Sequence, residues 1–372
     1  MKKNNTIETF LALVRAGLWE EDVNILSYGS IDYNVICQLA EEQSVEGLIA
    51  AGLEHVKDVK IPQEVSLFFV GSALQLEQRN KQMNEFLGRL IEKMRNANIY
   101  ALVVKGQGIA QCYERPLWRS CGDIDLLLSE ENYNNAKSFL KPFASIVDKE
   151  NPLTHHLGMT IENWKVELHG SLCNRLWKSV NNGIYEAHNS VIFEGKVRSW
   201  INDKTQIFLP NADEDVIFVF THILQHFYHE GIGLRQICDW CRLLWTFFDK
   251  LQLKLLEGRL RKMGLMSEWK AFSVLAVDKL GMPQDKMPFY SPSKVWKKRA
   301  DNILSFILEV GNFGHNRDFS YYTKKSYFAR KVISFKRHVN DLAKQFCIFP
   351  VDSIRVWNGM LREGIIEMIK GR

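Results

Sequence analysis

Four short apolar runs between residues 99 and 169 most constrain the fold, because they interrupt a chain that otherwise reads as helix. IYALVVKG (99–106) is β-branched and ends in Lys-Gly. QGIAQCYE then reads as a short helix stopped by Pro116, and DIDLLL (123–128) as a second strand. HHLGMTI (155–161) and WKVELHG (164–170) flank the polar pair Glu162-Asn163, the spacing of a two-residue hairpin. Between DIDLLL and HHLGMTI, SEENYNNAKSFL opens on a cap-like Ser and predicts a helix. Residues 190–209 read as further short strands and turns.

Helical spacing governs both flanks. Ile7, Phe10, Leu11, Val14 and Leu18 start it, and 34–56 and 64–98 continue it, the last as one long helix or two. After Pro210, NADEDVIFVFTHILQHFYHE places acids in a first helical turn, and LRQICDWCRLLWTFF follows the break at Gly231 and Gly233. The expected class is α+β: a small mixed core over 99–210, a helical segment over 1–98 and a helical domain over 211–372. At 372 residues and 46% hydrophobic, the chain can bury cores for two or three such parts.

The second strand poses an electrostatic problem. Asp123 and Asp125 are two apart, so in a strand they project to one face while Ile124 and Leu126 pack on the other. Two adjacent carboxylates at the head of an apolar run are costly unless a cation lies between them. Hard divalent cations prefer oxygen ligands, which makes Mg²⁺ or Mn²⁺ the expected solution. Glu167 alternates with Val166 and Leu168 in the same manner. If its strand lies beside the first, the three acids can hold two metals, the arrangement used for in-line phosphoryl or nucleotidyl displacement. Upstream, Lys105, Gly106 and Gly108 sit where a strand meets a helix start, which suits an anion, and Arg119 adds a charge.

The span KGQGIAQCYERPLWRSCGDIDLLL resembles the nucleotidyltransferase superfamily that includes DNA polymerase beta and the aminoglycoside nucleotidyltransferases. It is more closely similar to a bacterial family of uncharacterised nucleotidyltransferases. The matching residues are Lys105, Gly106, Tyr113, Arg119, Gly122, Asp123, Asp125, Leu126 and Leu127. The resemblance implies a polymerase-beta-like core, metal binding by Asp123 and Asp125, and Glu167 as the third acid that helps activate an acceptor hydroxyl. His222, His226, Arg235 and Asp239 match the family's His-x3-His helix with its following Arg and Asp. The expected reaction moves an NMP from an NTP to a hydroxyl and releases pyrophosphate. Lys105, Gly106, Arg119, Ser120, His169, His222 and Arg235 are the expected nucleotide contacts. One departure is that Gln107 stands where many members place a phosphate-binding serine, so the triphosphate must rely on backbone N–H groups, Lys105, Arg119 or Ser120. The alternative is a non-catalytic module on the same fold that binds nucleotide, RNA or protein.

Other features are read more plainly. His222, His226 and His229 share a helix face, but Ile223 stands where a zincin needs Glu, so packing is the first expectation for them. The seven scattered cysteines suit a reducing compartment, and Cys238 and Cys241 fall inside a helix as core thiols. A net charge of +5 fits an anionic ligand without demanding nucleic acid. Phe328, Val332, Phe335, Val339, Leu342 and Phe346 form a helical stripe among basic residues, expected to pack on the protein itself, with a membrane surface or nucleic acid, RNA above all, as the other use. The N-terminus MKKNNTIETF lacks a signal-peptide core and no run spans a bilayer, so a cytoplasmic location is expected.

Overall fold

Helices lead the chain as their periodicity requires: α1 (Lys2–Trp19), α2 (Tyr33–Gln43), α3 (Glu46–Glu54) and α4 (Gln63–Asn96). The computed structural model describes residues 2–151, 154–317 and 327–369. Asp32 caps α2 by accepting from the Asn34 and Val35 amides at 3.1 and 3.4 Å. The 64–98 region is one unbroken helix of 34 residues.

β1 (Leu102–Val104), the one-turn α5 (Gly106–Ala110) and β2 (Ile124–Leu127) follow, then α6 (Glu130–Leu140), β3 (Ala144–Val147), β4 (His156–Ile161) and β5 (Trp164–His169). The strands form one mixed sheet in the order β1-β2-β5-β4-β3. β2 is antiparallel to β1 and parallel to β5, and β4 is antiparallel to both β5 and β3. The parallel pair needs a long connection, which α6, β3 and β4 supply. Ser129 caps α6 by accepting from the Asn132 amide at 3.3 Å. The hairpin turns at Glu162-Asn163 as expected, with Glu162 at φ 55.

The sheet is covered on both faces, which is why all of β2 is buried. One core joins Ile124, Leu126, Val166 and Leu168 to the second half of α4 through Met83, Phe86, Leu87, Leu90 and Met94. Ile124 and Leu126 thus lie in the core, away from the acids, as the alternation predicts. The other core is larger and helical, and takes Val104 and Leu127 from the sheet. It also joins residues of α1 to α3 with those of α7 (Lys178–Phe193), α8 (Ala212–His229), α9 (Leu234–Phe247), α10 (Leu253–Met263), α11 (Met266–Leu280) and α12 (Lys294–Val310). Sequence texture follows chain order, whereas the packing merges helices from both ends. Phe220, Trp240 and Trp269 meet near the middle of this core, with Trp269 about 4.8 Å from each of the other rings and edge-on to Trp240.

Three expectations are corrected. Residues 190–193 complete α7 rather than starting strands, because Val180, Ile184, Ala187 and Val191 continue one buried helical face. Strand structure begins only at β6 (Val197–Asn202), which pairs with β7 (Thr205–Pro210) around Asp203 at φ 52. The helix expected over 106–114 stops at Ala110; the Cys112 and Tyr113 amides bond back only three residues, to Ile109 and Ala110. The apolar stripe of α13 (Tyr327–Ile348) is only partly covered: Phe335 packs on Trp357 and Leu342 is half-buried, but Val332, Phe335, Val339 and Phe346 keep exposed surface, and Phe328 with Lys324 and Lys325 lies outside the described side chains. α13 packs through a different face, where Gln345 donates to the Phe227 carbonyl at 2.8 Å, and it is followed by α14 (Pro350–Ile369). Cys238 and Cys241 are buried and unbridged in α9, as expected. Among the described residues, no helix is long and apolar enough to cross a membrane.

Candidate active site

The parallel register between β2 and β5 sets Asp125 directly beside Glu167. Asp123 lies just ahead of β2 and is half-buried. Asp125 and Glu167 are therefore side by side, the adjacency that alternation alone left conditional, and Asp123 lies near enough for the charges of both to act on it.

Asp125 is almost fully buried, and its Oδ1 holds two partners: the Lys105 ammonium at 2.9 Å and His169 Nε2 at 2.8 Å. Burial opposes its charge, but Lys105 and the His169 hydrogen bond overcome this and hold the carboxyl well below its usual range. Lys105 reaches Asp125 from a left-handed backbone position, φ 57 and ψ −144, followed by Gly106 at φ 35. A lysine in this region costs about 1–3 kcal/mol, strain of the kind that clusters at functional sites. At Gly108 a Cβ would sit 2.6 Å from Leu209 Cδ2 in β7, so a larger residue there would have to displace that side chain.

Glu167 divides its two oxygens. Oε1 pairs with Lys165 at 2.7 Å, while Oε2 lies 3.2 Å from His156 Nε2 and 3.7 Å from His169 Nε2. Burial again opposes the charge, and His156 and Lys165 outweigh it, bringing the carboxyl down to about 2. Asp123 behaves oppositely. Among the described residues it has no ion pair, and the charge of Asp125, followed by burial, pushes it up to about 6. The cluster thus contains two compensated carboxylates and one that lacks a counter-ion.

The expected nucleotide contacts separate into two groups. Arg235, on α9, donates to the Ser120 carbonyl at 2.8 Å, and its Nε is buried with no hydrogen-bond partner. Burial, and then the Arg119 charge, pull its guanidinium below the ordinary value. The field of Arg235 reaches Asp123. His222, on α8, is pushed well below its ordinary value by burial and then by Lys105, and its Nε2 lies 3.1 Å from that of His226. Burial also lowers His169 against the pull of Asp125.

Arg119 is placed differently from the expectation. Its guanidinium is buried and bidentate on Asp239 of α9, at 2.9 and 2.6 Å, and the Tyr113 hydroxyl donates to the same carboxylate at 2.7 Å. Its Nη1 donates to the Ser120 carbonyl at 3.1 Å. Arg119 is therefore committed to holding α9 against the loop that precedes Asp123. Lys105 likewise rests on a carboxylate rather than facing solvent as a free phosphate ligand. Gly106 is buried within a single helical turn, so α5 offers less macrodipole than the longer helix would have done.

His156 was not singled out in the sequence. It faces His169 across the hairpin and stacks on it with ring centroids 4.8 Å apart. Counting register outward from the two-residue turn pairs 161 with 164, and hence 156 with 169, so the hairpin signal contained it.

No curated protein and no solved structure matches this chain. A family model does match, over residues 29–277, more than half of the chain and including every strand of the sheet and both helices that carry His222 and Arg235. The chain belongs to the uncharacterised nucleotidyltransferase family.

Proposed function

We propose that the chain transfers a nucleoside monophosphate from an NTP to an acceptor hydroxyl and releases pyrophosphate. The observation that carries this reading is the convergence of Asp123, Asp125 and Glu167, with Asp123 left uncompensated and raised to about 6. An all-oxygen set with excess negative charge suits Mg²⁺ or Mn²⁺, so the donors fit the expected metal. When bound, a divalent ion supplies charge neutralisation for the triphosphate and the departing pyrophosphate.

The side chains divide the remaining work. Asp123, Asp125 and Glu167 would hold the cations. His169 orients Asp125 through its 2.8 Å hydrogen bond. Lys105, paired with Asp125, and Arg235 on α9 supply the positive charge beside the acids that would face the phosphates. His222, neutral, donates or accepts at the nucleotide without adding charge. Glu167 accepts a hydrogen bond from the acceptor hydroxyl and fixes its approach. In this reading 99–210 is a polymerase-beta-like core with helical flanks over 1–98 and 211–372.

The test is incubation with each α-labelled NTP and Mg²⁺ or Mn²⁺, with candidate acceptors and a cell extract, and with Asp123→Asn as control. Label should move to an acceptor in the wild type only. Equal labelling by the variant removes the mechanism.

The raised carboxyl makes a separate prediction about pH. A proton and a cation compete for Asp123, so Mg²⁺ affinity should rise from pH 5 to pH 7 and binding should release a proton. Calorimetry in two buffers of different ionisation enthalpy reads both. Affinity unchanged across that interval would remove Asp123 from the ligand set.

A further inference from the structure

We propose that His156, Glu167 and His169 form a second cation position, which takes a first-row transition ion such as Mn²⁺, Co²⁺ or Zn²⁺ in preference to Mg²⁺. The inference rests on the reading that this carboxylate cluster binds cations, and adds a position of different chemistry to it.

The hairpin builds the position. His156 of β4 and His169 of β5 are directly opposed in the antiparallel register, and Glu167 lies two residues before His169 on the same face. Both imidazole Nε2 atoms converge on one oxygen, Glu167 Oε2, at 3.2 and 3.7 Å. An ion bonded at 2.0–2.1 Å in tetrahedral geometry separates its ligands by roughly 3.3 Å, so these spacings bracket what such an ion needs. The candidate ligand atoms of the three residues all lie within 4.8 Å of one another. Lys165 occupies Oε1 and leaves Oε2 to the imidazoles.

The surroundings suit a ligand set. His169 and Glu167 have side chains only 11% and 14% exposed, which fixes them, while His156 at 38% leaves an approach for the ion and for water to complete its shell. His169 Nε2 donates to Asp125 in the metal-free chain; an ion held by that nitrogen would displace this hydrogen bond, with the imidazole proton on Nδ1, and would leave Asp125 to Lys105 and the all-oxygen position. Two imidazole nitrogens and one carboxylate oxygen favour borderline ions, whereas Mg²⁺ selects oxygen. The site would then hold an all-oxygen position at Asp123 and Asp125 beside a mixed position, with Glu167 between them.

The test titrates metal-stripped, full-length protein with Co²⁺ and follows visible d–d absorption. One saturable equivalent is expected, displaced by Zn²⁺ and retained under about a hundredfold excess of Mg²⁺. His156→Ala should weaken Co²⁺ binding by at least about tenfold while the metal-free protein stays folded by circular dichroism. Asp123→Asn should bind Co²⁺ as the wild type does. Absence of saturable absorption, equal affinity in His156→Ala, or ready displacement by Mg²⁺ would each overturn the proposal. If Co²⁺ fails to bind but Mg²⁺-dependent transfer of label persists, only this inference falls. If Co²⁺ binds as described and no NTP supports transfer, the catalytic reading falls and the metal position stands.

Discussion

Asp123→Asn is expected to lower nucleotide transfer by about 10³-fold or more without unfolding the protein. The size follows from the role: a carboxylate that holds a cation against the reacting phosphates acts where charge is rearranged in a water-poor site. The tolerance of the fold follows from the geometry. Asp123 is half-buried, lies outside β2, and has no ion pair among the described residues, so an isosteric amide orphans nothing. Stability has a sign that can be checked. The folded value of Asp123 is raised to about 6 from 3.8, so its contribution is favourable while protonated and is lost as pH rises through about 6. The amide never ionises. The variant should therefore be more stable than wild type at pH 7 and equal to it below pH 4, measured by thermal melting without added metal. Asp125→Asn is the contrasting case: it also abolishes transfer, but it weakens the counter-ion of Lys105 and destabilises. If both variants retained full transfer, the three-acid site would be refuted.

The second large effect belongs to Asp239. Asp239→Ala leaves the Arg119 guanidinium buried with no carboxylate and the Tyr113 hydroxyl with no acceptor. Breaking one side of a buried ion pair costs about 3–5 kcal/mol, expected here as a large fall in the denaturant midpoint. Replacing both charges, Arg119→Met with Asp239→Leu, should recover much of that loss, because the desolvation cost of the pair disappears with it. The same clamp holds α9 on the loop before Asp123, so the double variant should regain stability more fully than it regains nucleotide binding. A single Asp239→Ala variant as stable as wild type would show that the clamp does not dock α9.

Much of the site was legible because strand periodicity is local. Asp123, Asp125 and Glu167 could be assigned to polar faces from their immediate neighbours, and the Glu162-Asn163 turn marked a hairpin. Helix α6 was legible from its cap and α8 from its acidic first turn. The failures share a cause. Arg119 finds its partner 120 residues away, and Lys105 meets Asp125 across an antiparallel pair; neither distance is written in local pattern. Short reach also explains the over-long helix after Lys105, since the signals that stop it at Ala110 include Tyr113 turning to bond Asp239 in α9.

The sequence by itself determined which residues face which way: alternation put acids on one side and leucines on the other, and apolar spacing made the flanks helical. Tertiary structure alone decided which faces meet. It placed β5 parallel to β2 so that Glu167 joins Asp125, and opposed His156 to His169. It also spent Arg119 on a buried clamp while leaving Arg235 facing the acids. The physical reason is that side-chain direction follows from backbone repeat within a few residues, whereas neighbours across a sheet or between helices depend on crossover path and register, which only the packed chain defines.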